Sequence, residues 1–511
     1  MGGRKQIPGS EIEKQKKIMN TVRTAMQARA AQPQAYVDTY GCQQNESDSE
    51  KLRGMLAEMG YSITSDEFAA DVIAINTCAI RENAENRVLG NVGALVHTKK
   101  AKRKQIIAFC GCMAAVPETV EKIKESYKHV DIVFSPGALW RFPELLHRAL
   151  ENKGMIPPHE ENGQTPRTGE EAQKRPRARK GRIFDTDEGG GSEIAEGIPL
   201  HRDGKVKAWL PIMYGCNNFC AYCIVPYVRG RERSRNPADI LSEAKKLIAD
   251  GYKDITLLGQ NVNSYNGETG SISNTAQNTA CAGTVHAADF PGLIRRINEI
   301  EGEFLIRFMT SHPKDASNEL FRAMAESEKA ARHIHLPFQA GSDRILKLMN
   351  RGYTAGEYLE KIAAARELMP DIVITSDVIV GYPGETEEEF EDTLRLVEKA
   401  QFEAMFTFIY SKRPGTPAAK LPDKVSREEK QIRFDKLLEM QNAISEAKHA
   451  QYIGKTMKVL VDSLSHDERY PLKARTNGGR LVHMLGEEAQ VGRFVEAKIT
   501  HSNSWALFGV G

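Results

Sequence analysis

Three cysteines lie within eight residues of one another, at Cys216, Cys220 and Cys223, and we call them the loop site. Thiolates hold iron–sulfur clusters, and three of them can bind three irons of a [4Fe–4S] cluster and leave the fourth iron open. An open iron can take the amino and carboxylate groups of a methionine moiety. A tetrahedral zinc site would need a fourth ligand, and no Cys or His occurs in the twenty residues after Cys223. Three inert cysteines in so short a stretch are improbable as packing, so the spacing favours a cluster.

A second set, Cys42, Cys78 and Cys112, follows three successive predicted strands at intervals of 36 and 34 residues, and we call it the sheet-edge site. In a parallel sheet the carboxyl ends of all strands lie on one edge, which is the usual ligand edge. A lone cysteine is more often a small buried hydrophobe. Three at equivalent positions instead predict a second three-cysteine cluster with an open iron. Cys110, inside a strand, and Cys281, inside a polar insertion, are predicted to have no chemical role.

The elements that must position the sheet-edge site occupy the first 204 residues. Residues 1–34 are basic and predict a solvated extension, with a helix around 11–31. Residues 35–150 alternate apolar strands with periodic helices, which predicts a doubly wound parallel sheet in an α/β domain. Residues 151–204 are rich in Gly, Pro, Glu and Arg, and they predict a linker.

The remaining residues predict two further domains. Six strand–helix units over 205–450 indicate an open, partial (β/α)6 barrel, and the loop site follows its first strand, where barrels place their active sites. A polar insertion of small residues at about 267–289 predicts a surface loop. Short β-prone runs over 451–511 predict a small C-terminal β-barrel.

The composition excludes several classes of protein. The 511 residues include 70 Lys and Arg against 68 Asp and Glu, so bulk charge alone cannot hold this chain to nucleic acid, although local basic patches can. Eight cysteines are too few for a disulfide scaffold and fit metal or redox chemistry better. The sequence has no apolar run long enough for a transmembrane helix or a secretory signal, so we expect a cytoplasmic protein without a membrane partner.

Four arginines alternate along the segment that follows the loop site. In an extended strand this spacing would put all four side chains on one side. Phosphate or nucleotide binding is one interpretation, and a solvated or internally paired face is the other, with Glu232 as a partner. Because the segment directly follows the loop site, we favour nucleic-acid binding. The four residues are Arg229, Arg231, Arg233 and Arg235.

From about residue 35 to the C-terminus, the chain resembles the radical S-adenosylmethionine methylthiotransferase family. The matching motifs are Tyr40-Gly-Cys-Gln-Gln-Asn45, Asn76-Thr-Cys78, Gly111-Cys-Met113, Cys216-x3-Cys220-Ala-Tyr-Cys-Ile-Val-Pro226 and Arg229-Gly-Arg-Glu-Arg-Ser-Arg235. The C-terminal part resembles the TRAM module, an RNA-binding β-barrel. Leu258–Tyr265 and His335–Asp343 are most similar to the branch of the family that acts on N6-isopentenyladenosine in tRNA, with Ala340 in place of an expected Ser.

The resemblance implies an enzyme that replaces the C2–H of adenine, just 3′ of the tRNA anticodon, with a methylthio group. It implies two [4Fe–4S] clusters, two molecules of S-adenosylmethionine per product, an external electron donor and an external sulfur source, and we expect a monomer. The loop site would generate the radical, and the sheet-edge site would deliver the sulfur. Alternatives are a methylthiotransferase acting on threonylcarbamoyl adenosine of tRNA, one acting on an aspartate of a ribosomal protein, and a non-catalytic RNA-binding iron–sulfur protein.

The resemblance also assigns residues to the S-adenosylmethionine pocket. The turn from Gly381 to Glu385 runs from a predicted strand into a helix, and its glycines allow close approach of the backbone to a ligand. An ordinary turn explains this sequence equally well, and only the resemblance favours cofactor binding. The residues so assigned are Gly259, Gln260, Gly381, Gly384 and Glu385. His312, at a predicted barrel strand, is predicted to be structural.

Overall fold

The structure is a computed structural model that describes residues 5–79, 82–157, 181–186, 193–267 and 289–511. Cys281, most of the predicted insertion and the middle of the predicted linker lie outside these residues. The chain divides into two compact units, one formed by Met1–Asp203 with Ile224–Arg233 and the other by Gly204–Cys223 with Ser234–Gly511. Within the described residues, no helix combines the length and the apolar composition that a membrane span requires.

The helices and strands follow one another in two long series. Up to residue 203 they are β1 (Lys5–Gln6), α1 (Gly9–Gln27), β2 (Gln34–Thr39), α2 (Gln43–Glu58), β3 (Ser62–Ile63), β4 (Val72–Thr77), α3 (Glu82–Ala94), α4 (Val96–Ala101), β5 (Ile106–Gly111), α5 (Pro117–Ser126), β6 (Ile132–Phe134), α6 (Phe142–Asn152), β7 (Ile183–Asp185) and β8 (Glu193–Ile194). After residue 203 they are β9 (Lys207–Pro211), β10 (Met213–Tyr214), α7 (Val225–Arg229), β11 (Arg233–Ser234), α8 (Pro237–Ala249), β12 (Asp254–Leu258), α9 (Phe290–Asn298), β13 (Leu305–Phe308), α10 (Asn318–Glu326), β14 (His333–His335), α11 (Asp343–Leu348), α12 (Ala355–Leu368), β15 (Val373–Val380), α13 (Glu387–Ala400), β16 (Ala404–Ile409), α14 (Arg427–Ala450), β17 (Thr456–Leu464), β18 (Leu472–Thr476), β19 (Leu481–Leu485), β20 (Phe494–Ser502) and β21 (Leu507–Val510).

The first unit is built on a six-stranded sheet in the order β3-β2-β4-β5-β6-β7, with all neighbouring strands parallel. Every residue of β4 and β5 is buried. Continuous burial is expected where helices cover both faces of a parallel sheet, and it explains why these strands are apolar runs without alternation. The predicted N-terminal parallel sheet is therefore confirmed.

Two segments of the first unit differ from the sequence-based expectations. The predicted linker over 151–204 contributes β7 as the sixth strand of the sheet, and its β8 pairs with β1. The basic extension over 1–34 contains α1, which buries Met19, Val22 and Met26 in the core of this unit. The apolar residues of α1 lie three and four positions apart among the lysines, so one face packs while the basic face stays in solvent.

The second unit contains six parallel strands in two sheets, ordered β13-β12-β9 and β14-β15-β16. An isolated parallel bridge pairs Ile306, in β13, with Ala330, just before β14. The strands thus follow chain order from β9 to β16, apart from the short β10 and β11, which confirms the predicted partial barrel. Asn266 and Asp289, at the two ends of the predicted insertion, form an antiparallel bridge, so the insertion leaves and rejoins the fold at one place.

The C-terminal strands close into a five-stranded barrel in the order β17-β18-β19-β21-β20, as predicted. The turn between β18 and β19 attaches this barrel to the amino ends of the parallel strands. There the Arg307 guanidinium is held by Asp254 at 2.8 Å and donates to the carbonyl oxygens of Thr476, at 3.0 Å, and Asn477, at 2.8 Å. Buried charges are tolerated when paired and hydrogen-bonded in this way. The loop site, by contrast, follows the carboxyl end of β9.

Candidate metal centres

The sheet-edge site lies where three adjacent strands end. The register pairs Thr39 of β2 with Asn76 of β4, and Thr77 of β4 with Gly111 of β5. Cys78 and Cys112 are the next residues after β4 and β5, and Cys42 follows β2 by three residues and caps α2. The fold therefore brings together three thiols that are far apart in sequence, as the spacing predicted.

Glycines allow the loops of this site to approach closely. Gly41 has a φ of +122°, and a Cβ there would lie 2.4 Å from Cβ and 2.9 Å from Sγ of Cys78. Gly111 has a φ of +88°, and a Cβ there would lie 2.4 Å from the carbonyl oxygen of Thr77. Only glycine fits both the backbone conformation and the space. The loop that carries Cys42 is thus held directly against Cys78.

The side chain of Asn45 fastens the ends of these strands together. Its Nδ2 donates to the carbonyl oxygens of Tyr40, at 2.7 Å, and Thr77, at 2.9 Å. The carbonyl of Tyr40 lies two residues before Cys42, and the carbonyl of Thr77 lies one residue before Cys78. Its Oδ1 accepts a hydrogen bond from Nη2 of Arg229 at 2.7 Å. One buried amide therefore orders the loops of two cysteines and also positions a cation.

Arg229 lies at the centre of the sheet-edge site, which corrects its predicted role in nucleic-acid binding. The segment around it is helical rather than extended, since α7 ends at Arg229, and this side chain is buried. Its Nε donates to Sγ of Cys112 at 3.2 Å, and its Nη2 donates to Asp48 at 2.9 Å. Burial alone would lower the pKa of Arg229, but Cys112, Asp48 and Cys42 outweigh it and raise that pKa well above its usual value.

The other three arginines of this segment do not form one face either. Arg235 is buried, donates to the Pro211 carbonyl oxygen at 2.6 Å and pairs with Glu243 at 2.9 Å, so its predicted nucleic-acid role is corrected as well. Arg233 is half-buried and donates to the backbone of Arg229 and Arg231. Arg231 is exposed. The predicted alternative of an internally paired segment describes most of these residues.

The loop site is ordered by an asparagine in a similar way. Nδ2 of Asn350 donates to the carbonyl oxygens of Asn218, at 3.1 Å, and Phe219, at 3.0 Å, inside the cysteine loop. Gln260 accepts a hydrogen bond from the backbone N–H of Gly215, at the start of that loop. Cys220 is buried, whereas Cys216 and Cys223 are partly exposed. Residues outside the cysteine loop thus hold its backbone in place.

A buried arginine also donates to a cysteine of the loop site. Nη1 of Arg351 lies 3.3 Å from Sγ of Cys220, and its Nε and Nη2 donate to Tyr353 Oη at 3.0 Å and to the Pro337 carbonyl oxygen at 2.8 Å. His312 Nε2 lies 4.0 Å from the same sulfur. Burial, with Arg351 and Lys314 nearby, lowers the pKa of His312 to about 2, so this imidazole is neutral. Nothing in the sequence singled out Arg351, because an arginine in a loop is usually exposed.

The arrangement of both sites fits iron–sulfur clusters. A cluster held by three thiolates is an anion, and each site supplies three cysteines with a buried guanidinium against one sulfur. Among the described residues, no three His, Cys, Asp or Glu side chains converge closely enough to hold one metal ion. Cys110 donates to the Ile75 carbonyl oxygen at 3.4 Å, and burial raises its thiol pKa well above the usual value, as befits a structural residue.

The residues predicted to bind S-adenosylmethionine differ in how accessible they are to a ligand. Gly259 packs tightly, since a Cβ there would lie 2.4 Å from Cγ of Met213. Gly384, with a φ of +87°, has open space where a Cβ would be. Glu385 does not fit its prediction, because its buried carboxylate accepts from Gly381 N at 2.7 Å and Arg433 at 2.9 Å. It holds the turn in shape and offers little surface to a ligand.

An aromatic row crosses the outer face of the C-terminal barrel, and we define it as His483, Phe508 and His501 on β19, β21 and β20. The register pairs Phe508 with both histidines. The rings of His501 and Phe508 stack at 4.2 Å between centroids, and those of His483 and Phe508 stack at 5.4 Å. Tyr470 packs against Phe508 at 5.1 Å, and Trp505 is 75% exposed. Within the row the two histidines cover the faces of Phe508, whereas the exposed ring of Trp505 is open to stacking with an unpaired base.

Comparison with known proteins agrees with the fold. The Radical SAM superfamily model matches residues 210–397, Uncharacterized protein family UPF0004 matches residues 34–135, and the TRAM domain matches residues 450–510. A partial parallel barrel with a three-cysteine loop after its first strand, matched in this way, defines a radical S-adenosylmethionine enzyme. The predicted enzyme class is confirmed.

Relatives that align over nearly the whole chain narrow the enzyme class to one family. The tRNA-2-methylthio-N(6)-dimethylallyladenosine synthase of Acetivibrio thermocellus is 46% identical over 473 residues, covering 93% of this chain and 90% of the relative. The proteins of that name from Alkaliphilus oremlandii and a Thermoanaerobacter species are each 44% identical over 503 residues, covering 98% of this chain and 97% of the relative. This chain belongs to the tRNA-2-methylthio-N(6)-dimethylallyladenosine synthase family.

Proposed function

We propose that this enzyme converts N6-isopentenyladenosine, just 3′ of the tRNA anticodon, to its 2-methylthio derivative. The family to which the chain belongs supports this substrate and reaction. The observation that carries the proposal is the presence of two separate three-cysteine sites, each with a buried arginine against one sulfur. A radical enzyme that only abstracts hydrogen needs one such site. The second gives the chain a place for the sulfur donor.

The reaction explains why both sites are needed. The C2–H of adenine is not acidic, so an ordinary general base cannot remove it. When bound, the loop-site cluster with S-adenosylmethionine supplies radical hydrogen abstraction, and the sheet-edge cluster supplies the sulfur. The chain's own residues fix the ligand loops. Asn350 and Gln260 hold the loop site, and Asn45 holds the sheet-edge site.

The S-adenosylmethionine pocket is proposed to include the backbone at Gly259, Gly381 and Gly384 and the side chain of Gln260. The open space at Gly384 and its left-handed backbone support a close approach of ligand to main chain there. Glu385 contributes indirectly, because its carboxylate accepts from Gly381 N at 2.7 Å and so shapes the turn.

The tRNA is proposed to bind partly on the C-terminal barrel, where the exposed ring of Trp505, between β20 and β21, can stack on a base. Base stacking on aromatic side chains contributes about 1–3 kcal/mol per base and tolerates many sequences. Arg231, which is exposed, stays a candidate phosphate contact, whereas Arg229 and Arg235 are buried.

Several finer features belong to the same proposal. These are two [4Fe–4S] clusters, two S-adenosylmethionine molecules per product, an external electron donor and sulfur source, a monomeric enzyme and a cytoplasmic location. We also propose domains at 35–150, 205–450 and 451–511, with the amendment that Ile224–Arg233 belongs to the first compact unit.

Nucleoside mass spectrometry tests the proposal. A strain that lacks this protein should accumulate N6-isopentenyladenosine and lose its 2-methylthio derivative, and the wild-type protein should restore it. A variant with Cys42, Cys78 and Cys112 replaced by Ala should not restore it, whereas Cys281→Ala should. Loss of methylthio-threonylcarbamoyl adenosine instead, or an unmodified ribosomal protein with intact tRNA, would contradict the proposed substrate.

A further inference from the structure

We propose that Arg229 is a positioning residue of the sheet-edge site, which holds the Cys112 sulfur through an N–H···S hydrogen bond and raises the reduction potential of the group bound there. The inference rests on the proposed function, since it takes the three cysteines as ligands of the second cluster. It assigns to this arginine a role that neither its sequence pattern nor its place after the loop site suggested.

The first argument is that the guanidinium is fixed without help from the sulfur. Nη2 of Arg229 donates to Asn45 Oδ1 at 2.7 Å and to Asp48 Oδ2 at 2.9 Å. Both acceptors lie on α2, whose N-terminal cap is Cys42. The planar guanidinium is therefore anchored through Nη2, and its Nε–H donates to Cys112 Sγ at 3.2 Å. A donor anchored in this way stays in place when the sulfur binds iron.

The second argument is the balance of buried charge. The side chains of Arg229 and Asp48 are only 5% and 8% exposed. A buried ion pair is costly unless further hydrogen bonds satisfy its remaining groups. Asp48 alone would neutralise Arg229, so a purely structural pair would not need the contact with Cys112. A thiolate bound to iron carries negative charge and makes this contact favourable.

The third argument comes from the loop site, where Arg351 makes the equivalent contact with Cys220 at 3.3 Å. The two arginines come from unrelated parts of the sequence, one at the end of α7 and one after α11. Hydrogen bonds to the sulfurs of a cluster are among the features that set its reduction potential. An N–H···S hydrogen bond from a buried arginine thus occurs once in each site.

The experiment uses the full chain with Cys216, Cys220 and Cys223 replaced by Ala, so that only the sheet-edge site can hold iron. After anaerobic reconstitution, the midpoint potential is measured by redox titration with electron paramagnetic resonance, and the rate of iron loss to a chelator is followed. In this background Arg229→Gln should shift the potential to a more negative value and release iron about 10-fold faster or more. Arg148→Gln, an exposed arginine on α6 of the same unit, is the matched control and should change neither.

Arg229→Lys provides a second variant that keeps the charge opposite Asp48. It should fold even if Arg229→Gln does not, and it should shift the potential in the same direction by a smaller amount, because the planar N–H···S geometry is lost. Wild-type potential and iron release in a folded Lys variant would overturn the inference. A background protein that binds no iron at all would overturn the second-cluster assignment itself, and the role of Arg229 with it.

Discussion

The two cysteine sites are built from the sequence in opposite ways. The loop site takes its three cysteines from eight consecutive residues, whereas the sheet-edge site takes them from 71 residues that span three strands. The first is a local motif whose ligands are neighbours in almost any conformation. The second exists only once β2, β4 and β5 have paired in register. Spacing therefore predicts the loop site directly and the sheet-edge site only through the fold.

The two sites are nevertheless held by the same pair of residue types. In each, an asparagine amide donates to two backbone carbonyls next to the cysteines, Asn45 in one and Asn350 in the other. In each, a buried arginine donates to one cysteine sulfur, Arg229 in one and Arg351 in the other. The two sites thus share an amide that orders the loops and a cation that contacts one sulfur.

The largest expected effect separates the two sites by function. Replacing Cys216, Cys220 and Cys223 by Ala should abolish both cleavage of S-adenosylmethionine and methylthiolation. Replacing Cys42, Cys78 and Cys112 should abolish methylthiolation and leave some cleavage, because the loop site keeps its three cysteines. Each triple variant should lose about half of the bound iron, since the proposed function places one cluster in each site. Iron analysis and a deoxyadenosine assay measure this, and an unchanged iron content in either variant would contradict the comparison.

The second prediction concerns the loop-site arginine. Arg351→Gln should slow cleavage of S-adenosylmethionine by about 10- to 100-fold, because groups that support a metal ligand are typically worth that much. Iron in the sheet-edge site should be retained. A deoxyadenosine assay on the reconstituted full chain gives the rate, and exposed Arg395→Gln on α13 serves as its control. Equal loss of iron from both sites would show that Arg351 supports the fold rather than one site.

The third prediction compares the packing around two glycines, Gly41 in the sheet-edge site and Gly259 in the proposed S-adenosylmethionine pocket. Gly41→Ala should destabilise the protein by about 1–3 kcal/mol and reduce iron in the sheet-edge site, because its φ of +122° disfavours any side chain and its Cβ would meet Cys78. Gly259→Ala should cost less, because the Gly259 backbone does not have a positive φ, although its Cβ would meet Cγ of Met213. Urea unfolding with iron analysis measures both. A larger loss of stability for Gly259→Ala than for Gly41→Ala would contradict this prediction.

The smallest effect on either cysteine site is expected from the C-terminal barrel. In this barrel, exposed Trp505→Ala should weaken tRNA binding roughly fivefold, corresponding to ~1 kcal/mol of lost stacking. Cleavage of S-adenosylmethionine without RNA should be unchanged. Because stacking is not ionic, the salt dependence of binding should keep its slope, whereas loss of a phosphate contact would flatten it by about 0.7–0.9. Unchanged tRNA affinity would place the RNA surface elsewhere on the molecule.

The fold, and the position of Cys78 and Cys112 directly after their strands, could be predicted because local sequence patterns specify them. Buried parallel strands such as β4 are continuous apolar runs, and cysteines after three of them point to one edge. The short β7 carries no such signal. It has only three residues and lies among polar residues, so its sequence is typical of a linker. Only the structure shows that Ile183 pairs with Ile132.

The charged residues were the least predictable. Alternating arginines predicted an exposed basic face, yet Arg229 and Arg235 are buried because acceptors distant in sequence, Asp48 and Glu243, are brought to them by the fold. Glu385 is a comparable case, since its partner Arg433 lies 48 residues away on α14. A charge's partner depends on tertiary contacts, and no local pattern encodes it.

The assignment of Ile224–Arg233 to the first unit has a consequence for the order of events during synthesis. The amino-terminal sheet can pair as soon as β7 has left the ribosome, but Arg229 emerges 117 residues after Cys112. At ~5–20 residues per second, the sheet-edge cysteines wait roughly 6–23 s for their guanidinium. Cys216, Cys220 and Cys223 are already translated by then. The sheet-edge site therefore gains its last residue after the loop-site cysteines have been translated, but 121 residues before Asn350, which orders the loop site. The loop site, although its cysteines are close together in sequence, is the second of the two to be completed during synthesis.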